Sequence, residues 1–438
     1  MKRTLKAILF IVLTVSCQFQ LANQLNAQDT IYMRHTLRQL TSPRMKGRGY
    51  SFRGDSIAAD YIRNELKRLK LQPLTENYYQ PYTFSVHSME GPVSVKVDNK
   101  KLIPYTHYRI PAWSKSSWGE YPIVQVPCET LIDAKLFKKF LNKYQGRLDE
   151  SFVYIDFAKF SPKDEEQKSI TVNIIQDMKR RNPFNSKGII VGVNELSTYS
   201  PAGTDIEHGY AYIEMLAAEM PSNAKTLDCY FFTQFHPRYE TQNIYGYVPG
   251  EVDTMIVYSA HYDHLGTMGD SIVFYGAHDN ASGVATLLDL AHETARSKPH
   301  YTTVFCFFSG EEAGLRGSKY AAEHPVFDFS KVRLMINIDM FCGGNEGIMV
   351  FNANDPKTTH FVERLEKLNA ALQIAPEIRR RENRPNSDHW YFSKEIPAIF
   401  ILSMGQRYGG YHDPLDTCER CGLENYLNYV TLISSLSL

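Results

Sequence analysis

The chain has 438 residues, 43% hydrophobic and 22% charged, with 28 Tyr and 24 Phe. That is a globular composition, long enough for one large domain with an insertion or for two domains. Lys+Arg and Asp+Glu are both 48, so no charge excess points to nucleic acid or an anionic surface as partner. Seven Cys are too few for a disulfide-built scaffold of this size.

The N-terminus reads MKRTLKAILFIVLTVSC. Lys2, Arg3 and Lys6 precede an apolar core from Ala7 to Val15, the layout of an export leader. The core is too short to span a bilayer, and no other run approaches ~18 apolar residues. Residues 1–27 are therefore expected to be a signal peptide removed after Ala27, leaving no transmembrane segment in the mature chain. LTVSC loosely resembles a lipoprotein cleavage site at Cys17, but Thr14 stands where Leu is usual; an exported chain without a lipid anchor is the favoured reading.

Residues 28–85 begin the first domain. DSIAADYIRNELKRLKLQPL carries Ile57, Ala58, Tyr61, Ile62, Leu66 and Leu69 at helical spacing, with Asp55 placed to cap. From residue 86 to 237 short alternating runs such as VSVKV and GIIVGV sit among Pro, Tyr and charged loops, which predicts an inserted β-rich domain. Residues 238–438 change character. The runs 255–260, 302–308, 332–338, 347–352 and 398–403 are near-continuous apolar segments of strand length, and GVATLLDLAHETAR is an amphipathic helix between the first two. The expected fold class is α/β: a doubly wound, mainly parallel mixed sheet with helices on both faces, carrying the β-rich insertion.

Polar residues stand just past the ends of these runs. His261, Asp263 and His264 follow the first; Asp279 precedes the helix; Glu311 and Glu312 follow FCFF; Asp339 ends MINID; His412 lies in YHDPLDT after the last. In open α/β sheets sites form beyond the carboxyl ends of the strands. Each residue alone has a bland reading, as a cap, a turn residue or an acid favoured by a helix dipole. Together they suit a two-metal hydrolytic centre. Two His and three carboxylates, one shared, give each metal about three protein ligands, and a further glutamate can move the proton of an attacking water.

HYDHLG, GAHDNASG, FFSGEEAGLRGS, NIDM and YHDPLDT, in this order, resemble the co-catalytic zinc aminopeptidases, a family that also includes glutamate carboxypeptidases and glutaminyl cyclases. The resemblance covers roughly residues 240–438, and KGR at 46–48 with the following helix is similar to the family's N-terminal part. The insertion falls where many members carry a protease-associated domain. The resemblance implies two Zn2+ per chain. His261, Asp279 and Asp339 would hold one; Asp279, Glu312 and His412 would hold the other, with Asp279 as the bridge. It further implies Glu311 as general base, Asp263 hydrogen-bonded to the His261 ring, and Ser387, Asp388 and His389 along the substrate pocket. His278, before the bridging Asp, is a rival ligand. Asp413, Phe341 and Cys342 also depart from the family's usual residues.

SGEEAGLRGS resembles the aminopeptidases, so an exported aminopeptidase acting on peptides is the expected function. A glutaminyl cyclase, or a carboxypeptidase or dipeptidase using Arg379, Arg380, Arg381 or Arg384 as a carboxylate clamp, is the alternative. A binding protein on an inactive scaffold is disfavoured, because all the ligands are present. Cys418 and Cys421 form a lone CxxC without a partner motif, expected as a small local disulfide or as free thiols rather than a zinc knuckle.

Overall fold

A computed structural model of the chain describes residues 30–160, 164–200, 205–405 and 410–437. The proposed leader and Cys17 lie outside these residues.

A nine-stranded mixed sheet forms the centre. Strand Val252–His261 pairs in parallel with Tyr301–Phe308 on one side and Val332–Ile338 on the other, and Ala398–Met404 continues the parallel run. Gly347–Phe351 and Thr233–Val248 flank this core antiparallel. The apolar runs are continuous because both faces are covered. Ile256, Tyr258, Ala260, Phe305, Phe307, Leu334 and Ile336 point to one face, under helices Thr30–Leu40, Gly54–Arg68, Ser282–Arg296, Thr359–Leu372 and Tyr426–Ser434. The alternate residues Val257, Val304, Cys306, Phe308 and Met335 pack on the other, with Ala321, Phe392 and Ile396. Among the described residues no helix is long and apolar enough to cross a membrane.

A second, eight-stranded sheet lies within residues 94–231. Its four inner strands, Ser117–Val126, Phe152–Asp156, Gly188–Val193 and Ala211–Leu216, are parallel. Helices Ala134–Lys143 and Glu165–Met178 fall between them in sequence, so this region is mixed α/β. Strands Tyr79–Met89 and Thr233–Val248 pair through positions 86 and 237 and belong to the central sheet, with an irregularity between His236 and Tyr239. Asp55 does not cap its helix: Arg53 takes that position, and the buried Asp55 carboxylate accepts hydrogen bonds from Tyr239 Oη (2.6 Å) and Thr241 Oγ1 (2.9 Å).

Candidate metal centre

Parallel pairing brings the site residues out at one level. His261 is the Cα partner of Phe308, and Ser259 that of Asn337; two residues beyond that second pair stand His261 and Asp339. Phe308 leads through Ser309 and Gly310 to Glu311 and Glu312. Asp279 sits in the turn that opens helix Ser282–Arg296. Asn280 fixes this turn, donating to Ile338 O (3.0 Å) and accepting from the N–H of Gly283 (2.9 Å) and Met340 (3.1 Å). A Cβ on Gly283 would come within 2.3 Å of that same Asn280 oxygen.

The resulting cluster is compact. Nε2 of His261 lies 3.2 Å from Asp339 Oδ1, 3.4 Å from Asp279 Oδ1 and 4.0 Å from Glu311 Oε2. Nε2 of His412 lies 3.3 Å from Asp279 Oδ2 and 3.2 Å from Glu312 Oε2. Asp279 thus turns one oxygen toward each imidazole. The potential ligand atoms of His261, Asp279 and Asp339 lie within 4.8 Å of one another, as do those of His264, Asp279 and Glu312. His264 Nδ1 is 2.6 Å from Glu312 Oε1, a contact the motif reading did not foresee.

Four carboxylates gathered in a buried cleft are costly without compensating positive charge. The imidazoles respond to that field. Burial lowers His412, but Glu312 and Asp279 outweigh it and push it up to about 11; burial likewise lowers His261, yet Asp339 and Glu311 raise it well above its ordinary value. The donor set, nitrogen and carboxylate oxygen without thiolate, fits zinc or another borderline divalent cation. The adjacent glutamates diverge. Burial, opposed by His261 and reinforced by Glu312, raises Glu311 well above the carboxylate range. Burial also raises Glu312, but His412 and His264 outweigh it and hold it well below.

Surrounding residues hold this geometry. Asp263 O lies 3.2 Å from His261 Nδ1, whereas its carboxylate is 3.8 Å away. The expected carboxylate–imidazole bond is therefore replaced by a backbone one, because the carboxylate is otherwise engaged. It accepts from Tyr50 Oη (2.7 Å) and from the N–H groups of Glu311 and Glu312 (3.2 Å each). Ser387 donates to Asp339 Oδ2 (2.8 Å) and accepts from Asn337 (2.7 Å). Ser387, Asp388 and His389 are fully buried, with Ser387 against Asp339 and the His389 ring near Phe400, rather than on an open wall. Asp416 accepts from the N–H of His278 (2.8 Å) and Asp279 (3.1 Å).

Arg48, fully buried, donates to the carbonyls of Tyr262, Leu40, Tyr275 and Gly276 at 2.7–3.0 Å and to that of Asp279 at 3.4 Å. Burial lowers it to about 10, against the pull of Asp279 and Asp416. The Tyr411 ring stacks on His412 at 3.9 Å. Arg48 lies in the KGR segment that resembles the family's N-terminal part, but no role was read for it; Tyr50 and Tyr411 were not singled out from sequence, and the one signal for Tyr411 is that it precedes a candidate ligand.

Other expectations are revised. His278 faces away from the cluster, its potential ligand atom grouping with Cys342 and Cys421. Cys421 pairs with Cys342 across 79 residues, with Cα atoms 5.9 Å apart, and Cys418 is free and buried. The loop after His412 folds over the segment following Asp339, which puts Cys421 beside a distant cysteine. Arg379 and Arg380, two of the four candidate clamp residues, pair with Glu377 (2.6 Å) and Glu366 (2.7 Å).

Fold and site together define an α/β protein with a two-lobed carboxylate–histidine cleft at its strand ends. Residues 243–436 match the model of peptidase family M28, and this segment is a member of that family. A probable leucine aminopeptidase of Arthroderma otae is 26% identical over 206 residues, 45% of this chain and 57% of the relative. The chain spans about half the length of the curated relatives it matches. A zinc aminopeptidase from Bacillus subtilis superposes with a TM-score of 0.64 at 15% identity, covering 93% of this chain and 94% of that one. A peptidase M28 precursor from Shewanella amazonensis gives 0.66 at 16%, covering 96% and 95%. At these identities the two structures speak to fold alone.

Proposed function

We propose that the chain is a metallo-aminopeptidase that hydrolyses the N-terminal peptide bond of its substrates with two zinc ions. The observation that carries this reading is the split of Asp279, one oxygen toward His261 and the other toward His412, with Glu311 beside the first group. His261, Asp279 and Asp339 would hold one zinc; Asp279, Glu312 and His412 the other. Bound zinc would supply Lewis acidity to water and to the scissile carbonyl. Glu311 takes a proton from the attacking water as its oxygen adds to the carbonyl carbon. It returns that proton to the amine nitrogen as the C–N bond breaks. The opposed shifts of the paired glutamates support this division: Glu311 is poised to carry a proton, and Glu312 to stay anionic. Asp263 positions both through their backbone N–H groups. The mature chain is read as exported without residues 1–27, in keeping with a Cys342–Cys421 disulfide.

The test is a pair of variants. Glu311→Ala should keep both zinc ions and lose about 10²–10⁴-fold in kcat; Glu312→Ala should lose one zinc. Near-normal turnover with full metal in both would overturn the assignment. Leucyl-coumarin is a reasonable first substrate, given a relative named as a leucine aminopeptidase. A glutaminyl peptide run in parallel separates hydrolysis from cyclisation.

A further inference from the structure

Tyr105 belongs to the second sheet's part of the chain, between strands Lys100–Lys101 and Tyr108–Arg109, yet it reaches the cleft. Its hydroxyl lies 2.9 Å from Asp413 Oδ2 and 3.3 Å from the carbonyl oxygen of His412. One O–H carries one proton, so the carboxylate takes the main bond and the carbonyl shares it. The ring is fixed from two sides: the Arg109 guanidinium lies 4.2 Å from its centre, and Phe274 meets it edge-on at 5.5 Å. Asp413 uses its other oxygen to accept from the N–H of Leu415 at 2.8 Å, closing the turn.

The backbone at His412 needs such a hold. Its φ is +55°, in the left-handed region, which a non-glycine residue keeps only where its surroundings enforce it. Asp416 and Cys421 anchor the same loop, but four and nine residues further on. Tyr105 contacts His412 itself and its immediate neighbour.

We propose that Tyr105 is a positioning residue for His412, so that the inserted region sets how tightly the zinc shared by Asp279, Glu312 and His412 is held. This rests on the reading of His412 as a zinc ligand. Tyr105 touches no reacting atom; it acts by fixing where the His412 imidazole can point. Partners that orient metal ligands typically govern 10–100-fold in metal affinity.

The experiment uses the full chain and zinc alone. Stoichiometry and the two dissociation constants are measured by competition with a chromophoric chelator, and Co2+-loaded protein gives the visible spectrum of each site. Tyr105→Phe should fill both sites at saturation, weaken one by about 10–100-fold and leave the other unchanged. The Co2+ bands of the weakened site alone should shift. Asp413→Ala, which removes the acceptor instead, should do the same. Tyr121→Phe, which deletes a hydroxyl bonded within the insertion to Trp118 O, should change neither site. His412→Ala is the control for the underlying reading and should hold one zinc. If His412→Ala loses one zinc while Tyr105→Phe and Asp413→Ala bind both as the wild type does, the role of Tyr105 is overturned and the ligand reading stands. If His412→Ala keeps two, the ligand reading falls, and this inference with it.

Discussion

The carboxylate of Asp263 accepts from Tyr50 and from the N–H groups of Glu311 and Glu312, so it shapes the glutamate pair while its carbonyl meets the imidazole of His261. The ligand candidates were visible from sequence because each stands past a strand exit or at a helix entrance. The roles of Tyr50 and Arg48 were not, even though Arg48 stands in the KGR segment, since their bonds span 213 and 214 residues and no local pattern encodes such partners. His389 shows what burial does to a residue of the SDH segment that points to no ligand. Its ring is fully enclosed near Phe400, and burial lowers its pKa to about 3. The unfolded chain, with an ordinary value near 6.5, binds more protons than the folded one between those limits. Stability from a neutral His389 is complete above about pH 6.5 and is lost as pH falls. At pH 5 the loss is on the order of 2 kcal/mol. Asp388 beside it, raised to about 7 mainly by burial, shifts stability in the opposite sense, so the comparison must be between chains that both retain it. Urea midpoints at pH 7.5 and pH 5 in excess zinc should fall less for His389→Phe than for the wild type. Equal falls would show that His389 does not titrate between the two states.

Among the elements, the parallel strands supply register and the loops supply chemistry. The apolar runs announced the strands, because a sheet covered on both faces needs apolar residues at every position. Positions of loops relative to each other were not legible, and the cysteines show why. A CxxC suggests a local bridge, but local spacing says nothing of a third cysteine that folding brings closer. The Cys342–Cys421 bridge joins the segment after Asp339 to the loop after His412, closing 79 residues. In the chain-entropy model such a loop contributes about 4–5 kcal/mol. A reductant should therefore lower the urea midpoint of the wild type sharply, while Cys421→Ser should start low and not respond. Cys418→Ser should respond as the wild type does. If Cys418→Ser abolished the response, the bridge would be the local one.

At the scale of the whole molecule, the two sheets share a core, and this decides whether the insertion is a separable module. Leu265, Met268 and Phe274, from the segment between His261 and Asp279, are buried in one cluster with Tyr108, Ile110, Met215 and Leu227 of the second sheet's region. Phe274 is fully enclosed, stacks on Tyr199 at 4.5 Å and meets Tyr105 edge-on. Sequence gave no hint of this. The alternating runs of residues 86–237 resemble a self-contained domain, and the shared residues sit 28 to 37 positions beyond it. A core owned jointly couples the unfolding of both halves, so the wild type should unfold in a single transition whichever half is monitored. In a Trp390→Phe background, Trp113 and Trp118 report on the insertion, and hydrogen exchange in strand Val332–Ile338 reports on the central sheet. Phe274→Ala removes the largest shared side chain and should cost about 3–5 kcal/mol. Much of that loss falls on the contact between the halves, so tryptophan fluorescence in the variant should change at lower urea than exchange in the central sheet. Coincident transitions in the wild type that separate in Phe274→Ala would establish the joint core. Two transitions already present in the wild type, or a loss below about 1 kcal/mol in the variant, would mean that the halves fold independently. Tyr105 would then reach His412 from a body free to move against it.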